Sequence, residues 1–429
     1  MTVQANIPAR RRGACPGLSA PMPTGDGLLV RLQPIGTVSV HAFAGLCAAA
    51  RECGNGIIEI TARGSIQVRG LTLESAPRFA DAIAALGIAA QDGVPVLCNA
   101  LAGVDPEEVL DGAALAADIR AALAQASFAT RLAPKVSVII DGGGALGLDA
   151  IAADIRMRAD LIDGTVMLRV GVGGDSASAY DLGVVAVADA VEAAVRLLDV
   201  VAQCGRDTRA RDTLEADGPG PFRTALAGLV CGASAPKLST PPEPIGAFRL
   251  RDGSLAGGIG LAFGHADVSA LRQLVEAAAA AGAAGIRVAP GRALMVVGLG
   301  EKNYFSFLAA AEWLGFIVRA DDSRRRVVAC AGAPICASAY IAARALAPLI
   351  ANTTMPFLDG LRTIHISGCA KGCAHPRPAA LTAVGTPDGC ALIADGCARD
   401  APFATVAARE LPAAIARYAG EQRREDRHV

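Results

Sequence analysis

Residues 27–71 read GLLVRLQPIGTVSVHAFAGLCAAARECGNGIIEITARGSIQVRGL, and this stretch decides the fold class. Its apolar residues change spacing along the chain, from the two-residue alternation of strands to helical spacing and back. The pattern predicts a strand, a helix and two further strands, at Leu28–Leu32, His41–Cys53, Ile57–Ile60 and Ile66–Val68. Gly54 marks the end of the helix, and Arg63-Gly64 forms the last turn. The stretch is therefore a small β-α-β-β module.

The same order of elements occurs a second time. In residues 258–299 the predicted elements are Ile259–Phe263, Asp267–Ala281, Ile286–Val288 and Leu294–Val297. Longer segments also correspond: a strand at Val136–Ile140 and a helix at Val185–Cys204 match Thr363–Ile366 and Phe403–Ala419. We therefore predict an α+β fold of two pseudo-twofold halves, each with a small ferredoxin-like module and a larger α/β module. The expected domains are 15–88, 89–235, 245–320 and 321–425, and a proline-rich linker at 239–244 separates the halves.

Composition and charge exclude several classes of function. The 429 residues carry a net charge of −1, which argues against a general nucleic-acid surface. No apolar run is long enough to span a membrane, and none follows the basic residues near the start as a signal peptide requires. We expect a cytoplasmic protein, whose cysteines stay reduced and available as metal ligands.

Four of the twelve cysteines are paired on two predicted loops. Cys330 and Cys336 form C-x5-C after one strand, and Cys369 and Cys373 form C-x3-C after another. Four thiolates on glycine-containing loops suit an iron–sulfur cluster. A structural zinc site is an alternative, although zinc favours tighter hooks than C-x5-C. Four unrelated buried thiols are the third interpretation.

Together with further motifs, these cysteines resemble the sulfite and nitrite reductase superfamily. Residues 61–67 (TARGSIQ) are similar to its T-x-R-x-x-x-Q segment, 102–106 (AGVDP) to A-G-x-D-P, and 132–135 (LAPK) to its L-P-x-K region. The resemblance covers nearly the whole chain. It implies that the four cysteines hold a 4Fe-4S cluster, that Arg63 and Gln67 lie against tetrapyrrole carboxylates, and that Lys135 faces the substrate.

Departures from that pattern favour one branch of the superfamily. The second cysteine loop reads GCAKGCAHP at 368–376, where the reductases have G-C-P-N-x-C, and Lys135 lacks the second lysine of its pair. With residues 12–18 and 21–31, this loop resembles the precorrin-3B synthase family of aerobic cobalamin biosynthesis. The resemblance implies O2-dependent hydroxylation of precorrin-3A at C20 with γ-lactone formation. It also implies a 4Fe-4S cluster, a mononuclear non-haem iron and NADH as the electron source. A sirohaem-dependent sulfite or nitrite reductase and a non-catalytic electron carrier remain as alternatives.

Candidate site residues follow from the chemistry of such a substrate. A tetrapyrrole with many carboxylates needs donors, and arginine matches a carboxylate with two parallel hydrogen bonds. The predicted substrate-binding residues are Arg31, Arg63, Gln67, Lys135 and Arg292. The predicted catalytic residues are Lys371, a point charge inside the second cysteine loop, and His375, an iron ligand or proton donor.

Two further patterns concern the route of the electrons. Residues 142–147 have the form G-x-G-x-x-G before a predicted helix at Leu148–Arg158, so they could bind a nicotinamide nucleotide or be a loop that faces the tetrapyrrole. Arg324, Arg325 and Arg326 form a basic run that is either a solvated face or a docking patch for an acidic electron-donor protein.

Overall fold

A computed structural model describes residues 16–232, 243–354 and 362–425. Arg12, Cys15 and residues 239–242 of the predicted linker lie outside these ranges. The described chain forms two compact units. The first contains residues 16–17, 90–232 and 249–252, and the second contains 18–89, 243–248, 253–354 and 362–425.

The first small module of the second unit has the predicted β-α-β-β order. Its elements are β1 (Met22–Thr24), β2 (Gly27–Leu32), β3 (Val38–Ser39), α1 (Val40–Cys53), β4 (Ile57–Ile60), β5 (Ile66–Leu71) and α2 (Ser75–Ala85). Ser39 caps the N-terminus of helix α1, and its hydroxyl accepts the N–H of Ala42 at 3.1 Å. Ile58, Ile60 and Val68 on the strands are buried.

The first unit is built on one six-stranded mixed sheet. Its strands are β6 (Val96–Cys98), β7 (Val138–Asp141), β8 (Ala153–Ile162), β9 (Thr165–Gly174), β10 (Tyr180–Ala186) and β11 (Val230–Gly232), in the order β11-β10-β9-β8-β7-β6. Strands β6, β7 and β8 are parallel, and the remaining pairs are antiparallel. Its helices are α3 (Gly112–Gln125), α4 (Ala190–Gln203), α5 (Ala210–Asp217) and α6 (Gly220–Ala225).

The second small module repeats the first and exchanges a strand with it. Its elements are β12 (Gly246–Arg249), β13 (Leu255–Gly260), β14 (His265–Asp267), α7 (Val268–Ala280), β15 (Gly285–Ala289), β16 (Ala293–Leu299) and α8 (Glu301–Trp313). Strand β14 joins the first sheet, in the order β1-β2-β5-β4-β14, and β3 joins the second, in the order β12-β13-β16-β15-β3. Each exchanged strand directly precedes the first helix of its own module, so the exchange is reciprocal. This confirms the predicted duplication.

The cysteine-bearing module has a third sheet in the second unit. It consists of β17 (Val327–Ala329), β18 (Ile364–Ser367), β19 (Ala379–Thr386), β20 (Gly389–Gly396) and β21 (Ala404–Val406), with helices α9 (Ala343–Thr354) and α10 (Leu411–Glu425). Strands β17, β18 and β19 are parallel, and β20 and β21 continue antiparallel. The run of β6 to β10 has the same pattern, so the larger modules also show the duplication.

Several predicted boundaries were wrong. The helix predicted at Leu148–Arg158 is absent, and β8 occupies most of that segment. The helix predicted at Phe403–Ala419 begins only at Leu411, because β21 precedes it. The strand predicted at Ile259–Phe263 ends at Gly260, and Phe263 has a left-handed φ of 57°. Within the described ranges, no helix combines the length and apolar character that a membrane crossing needs.

Candidate functional site

The cysteine loops leave one edge of the third sheet. Strands β17 and β18 are parallel neighbours, with Ala329 opposite Ile366, and Cys330 directly follows β17. The loop with Cys369 follows β18 at the same carboxyl edge. The backbone N–H of Cys330 donates to Ile366 O at 3.2 Å. Parallel pairing therefore brings the two predicted cysteine loops to the same edge of the sheet.

The thiol of Cys330 lies within a group of partners from both loops. Its Sγ accepts the N–H of Gly368 at 3.1 Å. Burial raises the pKa of Cys330, whereas amide hydrogen bonds from Gly368 and Gly332 lower it. Charge on Cys336 and on Cys373 raises the same pKa, so one cysteine from each loop lies within electrostatic reach of Cys330. Amide donors aimed at a sulfur suit a thiolate that serves as a ligand.

Two glycines make room for this arrangement. A Cβ on Gly368 would lie 2.6 Å from the Cβ of Ala339 and 3.3 Å from Cys330 Sγ. A Cβ on Gly25, in the turn between β1 and β2, would lie 2.8 Å from both Ala337 N and Pro334 O of the first cysteine loop. The loops thus approach each other, and the first small module, more closely than a side chain at either glycine would allow.

A compact site for one metal ion is not found. Nowhere in the described parts of the chain do three or more His, Cys, Asp or Glu side chains converge as a single ion requires. Zinc holds its sulfurs at about 2.3 Å from one centre, so the loops do not form a zinc site in this conformation. A cluster of four irons is larger than one ion and needs more widely separated thiolates. The donor set fits a cluster better than it fits zinc.

The two predicted catalytic residues lie in or beside the second cysteine loop. Lys371 Nζ donates to Ser338 Oγ at 2.8 Å and so connects this loop to the first. His375 Nε2 lies 3.4 Å from Pro378 O, and burial lowers the pKa of its imidazole.

A second histidine lies beside His375. The ring of His365, on β18, is fully buried with its centroid 5.7 Å from that of His375. Neither nitrogen of His365 has a hydrogen-bond partner. Burial lowers the pKa of His365 to about 4, so it is neutral at neutral pH.

Arg292 also reaches the second cysteine loop. Its Nη2 donates to Ala374 O at 2.9 Å, and Ala374 directly follows Cys373. Burial lowers the pKa of this guanidinium to about 10, which leaves it charged at neutral pH.

Arg31 and Gln67 lie in a polar row across the first small sheet. Arg31 on β2 is opposite Gln67 on β5, and Gln67 is opposite Glu59 on β4. With the amide oriented so that donors face acceptors, Gln67 donates to Glu59 Oε2 at 2.9 Å and accepts from Arg31 Nη2 at 2.7 Å. Arg69 Nε donates to Glu59 Oε1 at 2.9 Å, and Arg344 of α9 forms an ion pair with the same carboxylate. The row therefore connects the predicted substrate residues to the cysteine-bearing module.

The last two predicted substrate residues lie in different units. Arg63 is half-buried in the turn before β5, and its neighbour Gly64 packs so closely that a Cβ there would lie 2.9 Å from Ala289 C. Lys135 is exposed in the first unit, in a turn before β7.

The glycine-rich loop at 142–147 has its amides occupied by carboxylates of the chain. Asp141 accepts from Gly143 N at 2.9 Å and Leu148 N at 3.0 Å, and Asp105 accepts from Ala145 N at 2.7 Å. The loop also leads into a strand and not a helix, so it lacks the helix N-terminus that binds a pyrophosphate. Of its two interpretations, the nucleotide site is not supported.

The basic run has carboxylate partners of its own. Arg324 Nη2 lies 2.6 Å from Asp322 Oδ2, and Arg325 forms an ion pair with Glu243. Two of the three charges are therefore matched locally, which weakens the prediction of a docking patch.

Comparison with known proteins agrees with this geometry. A model of the nitrite/sulfite reductase ferredoxin-like half domain matches residues 20–86. A precorrin-3B synthase from Sinorhizobium sp is 38% identical over 412 residues, which cover 96% of this chain and 89% of that protein. The chain belongs to the precorrin-3B synthase family.

More distant relatives of this precorrin-3B synthase family member are reductases. A ferredoxin–nitrite reductase from Synechococcus elongatus is 26% identical over 76% of this chain and 70% of its own length. The structure of the NirA protein of Mycobacterium tuberculosis matches with a TM-score of 0.75 at 20% identity, over 91% of this chain and 80% of that one. The latter similarity confirms the fold.

Sequence patterns did not identify four residues that shape the site. Glu59 and His365 lie on predicted strands, and nothing in the local pattern distinguishes Arg344 from the other arginines of the chain. Gly25 lies in the 21–31 motif, whose pattern does not indicate contact with a cysteine loop. Their roles depend on contacts between distant segments, such as the 285-residue separation of Glu59 and Arg344, which local spacing does not record.

Proposed function

We propose that this chain is a precorrin-3B synthase, which hydroxylates precorrin-3A at C20 with dioxygen and forms the γ-lactone. Family membership at 38% identity over nearly the full length supports the substrate. The observation that carries the chemistry is the position of Cys330 at the carboxyl end of β17, with Cys336 and Cys373 within electrostatic reach of its thiol. A tetrapyrrole enzyme with a cluster at this edge can supply electrons to dioxygen.

The four cysteines are proposed to hold a 4Fe-4S cluster. Cys330 and Cys336 would contribute from the first loop, and Cys369 and Cys373 from the second. When bound, such a cluster supplies electrons one at a time, and hydroxylation needs two, because one oxygen atom enters the product and the other leaves as water. Gly368 N–H, which donates to Cys330 Sγ, would stabilise that thiolate.

The substrate carboxylates are proposed to bind to Arg31 and Arg63 of the second unit, and Lys135 of the first unit is a separate proposal. Arg31 is oriented by the Gln67 amide, whose oxygen accepts from both Nη2 at 2.7 Å and Nε at 3.1 Å. Gln67 uses its own N–H on Glu59, so we propose that it acts mainly by holding Arg31 in place. A guanidinium fixed in this way loses less conformational entropy when it binds a carboxylate.

His375 and Lys371 are proposed to act beside the reacting carbon. A hydrogen bond from His375 Nε2 to Pro378 O leaves Nδ1 without its proton, so Nδ1 can accept a proton from the substrate or dioxygen-derived groups. The ammonium group of Lys371, which donates to Ser338 Oγ, would stabilise a negatively charged group near the second cysteine loop.

NADH is proposed as the original electron source, with a separate donor protein between it and this chain. The occupied amides of the loop at 142–147 favour this indirect route. For a mononuclear iron, the described residues offer no converging group of three ligands, so no step is assigned to it.

Anaerobic purification followed by absorption spectroscopy tests the cofactor. We expect a broad charge-transfer shoulder with about four irons and four sulfides per chain, and its loss in Cys369→Ser. The matched control is Cys204→Ser, because Cys204 is an exposed thiol of the first unit and should leave the spectrum unchanged. A strong sirohaem band would instead support a sulfite or nitrite reductase.

A further inference from the structure

Arg292 extends from the second small module to the cysteine-bearing module. It lies in the turn between β15 and β16, and its guanidinium donates to Ala374 O at 2.9 Å. Ala374 directly follows Cys373 in the sequence, so the charge of Arg292 lies beside the second cysteine loop.

Within the described ranges, the charge of Arg292 has no carboxylate beside it. No Asp or Glu in the described ranges lies within ion-pair distance of its guanidinium, and burial alone lowers its pKa, to about 10. His365 and His375 lie within electrostatic reach of Arg292, and neither carries a negative charge; burial lowers the pKa of both, that of His365 to about 4. Arg292 is half-buried. A partly desolvated charge without a partner is costly, and it is retained where another negative group compensates it.

Three features of the fold position Arg292. Its backbone is left-handed, with φ of 64°, a conformation that costs a non-glycine residue about 1 kcal/mol or more. Gly264 makes room for the side chain, since a Cβ there would lie 2.7 Å from Arg292 Cδ. The N–H of Leu261 donates to Arg292 O at 3.0 Å and fixes the turn. Such a strained and accommodated position is typical of a functional side chain.

We propose that Arg292 is a positioning residue for the cluster: it anchors the loop of Cys369 and Cys373, and its charge makes the cluster easier to reduce. The inference rests on the proposed 4Fe-4S cluster. Reduction adds one negative charge to the cluster, and a nearby cation in a low-dielectric environment stabilises the reduced form. The role differs from the substrate binding that the sequence predicted for this arginine.

Redox titration of the anaerobically reconstituted holoprotein tests the proposal. In Arg292→Met we expect the reduction equilibrium to shift three- to tenfold against the reduced cluster, which is about 28–59 mV for one electron. Arg292→Lys keeps the charge and should restore a potential close to that of the wild type.

Arg399→Met is the matched control. Arg399 Nε lies 3.4 Å from Ala370 O of the same loop, but its side chain is exposed. Because solvent screens its charge, removal should leave the potential nearly unchanged.

Each outcome decides between the interpretations. An unchanged potential in Arg292→Met, with at least tenfold weaker binding of precorrin-3A, would support substrate binding and overturn the proposal. If the Met variant folds but takes up no cluster, Arg292→Gln keeps an N–H donor for Ala374 O and replaces it in the titration. If neither Arg292→Met nor Arg292→Gln takes up a cluster while Arg399→Met does so normally, the result supports the role of Arg292 in anchoring the loop. A wild-type protein with no cluster signal would refute the proposed function itself.

Discussion

Cys330 and Cys47 show how the surroundings of a thiol decide its chemistry. Burial within α1 raises the pKa of Cys47 to about 12, so this thiol is inert. Burial also raises the pKa of Cys330, but two backbone amides oppose the effect and other cysteines lie nearby. Spacing in the sequence separated the paired cysteines from the others, whereas the amide donors depend on the parallel pairing of β17 and β18.

Gly368 allows a test at the residue scale. In Gly368→Ala the added Cβ would lie 2.6 Å from Ala339 Cβ and 3.3 Å from Cys330 Sγ, so the loops must separate. We expect at least a fivefold loss of iron uptake, measured by iron and sulfide analysis after reconstitution. Gly220→Ala, where a Cβ meets no atom within 4 Å, is the control. Full iron uptake by Gly368→Ala would contradict the close approach of the loops.

His365 gives a pH dependence with a definite sign. Its pKa is about 4 when folded and 6.5 when unfolded, so the unfolded chain takes up a proton first as the pH falls. The stabilisation is present above pH 6.5 and is lost as the pH falls from 6.5 towards 4, by roughly 3 kcal/mol at most. We expect His365→Leu apoprotein to lose less thermal stability than the wild type over this range. Equal losses of thermal stability in the variant and the wild type would show that protonation of the His365 ring does not cause the pH dependence.

The strand exchange is the main feature at the scale of elements that the sequence did not predict. Strands β3 and β14 have two and three residues, which is too short for a periodic pattern. The helix predicted at Leu148–Arg158 was wrong for a related reason. Leu148, Ile151 and Ile155 have the spacing of a helix. Ile155, Met157 and Ala159 also alternate as in a strand. Hydrogen bonding of β8 to β7 and β9 stabilises the strand.

The ion pair between Arg344 and Glu59 connects α9 to β4. Both side chains are mostly buried, at 15% and 11% exposure. Because Glu59 keeps Arg69 and Gln67 as partners, we expect Arg344→Met to cost about 1–3 kcal/mol of unfolding free energy. Denaturant unfolding should give less than about 1 kcal/mol for Arg78→Met, whose pair with Glu52 is exposed. A loss of less than about 0.5 kcal/mol in Arg344→Met would mean that the buried pair does not stabilise the fold.

The loop at 142–147 gives a negative prediction for nucleotide binding. The amides of Gly143 and Ala145, and that of Leu148 directly after the loop, donate to Asp141 and Asp105. We therefore expect no saturable NADH binding to the isolated chain in a fluorescence titration at concentrations up to about 1 mM, well above the range of ordinary cofactor sites. Saturable binding that Gly144→Val abolishes would show that the loop opens to a nucleotide.

At the scale of the whole molecule, the duplicated α+β fold and the family could be predicted from the sequence. The repeated spacing of apolar residues predicted the fold. The cysteine loops, together with the segments at 12–18, 21–31 and 61–67, predicted the family. Contacts between modules could not be predicted, because spacing along the chain does not record which distant side chains meet. The partners of Arg292 and Gln67 are of this kind.

The most direct test of the central claim is turnover of precorrin-3A under ¹⁸O2 by the reconstituted protein with a chemical reductant, followed by mass spectrometry. We predict a hydroxylated lactone that carries one ¹⁸O atom at C20, and no such product from Cys369→Ser. Unchanged precorrin-3A from a wild-type protein with a full 4Fe-4S cluster, together with reduction of sulfite or nitrite, would contradict the account.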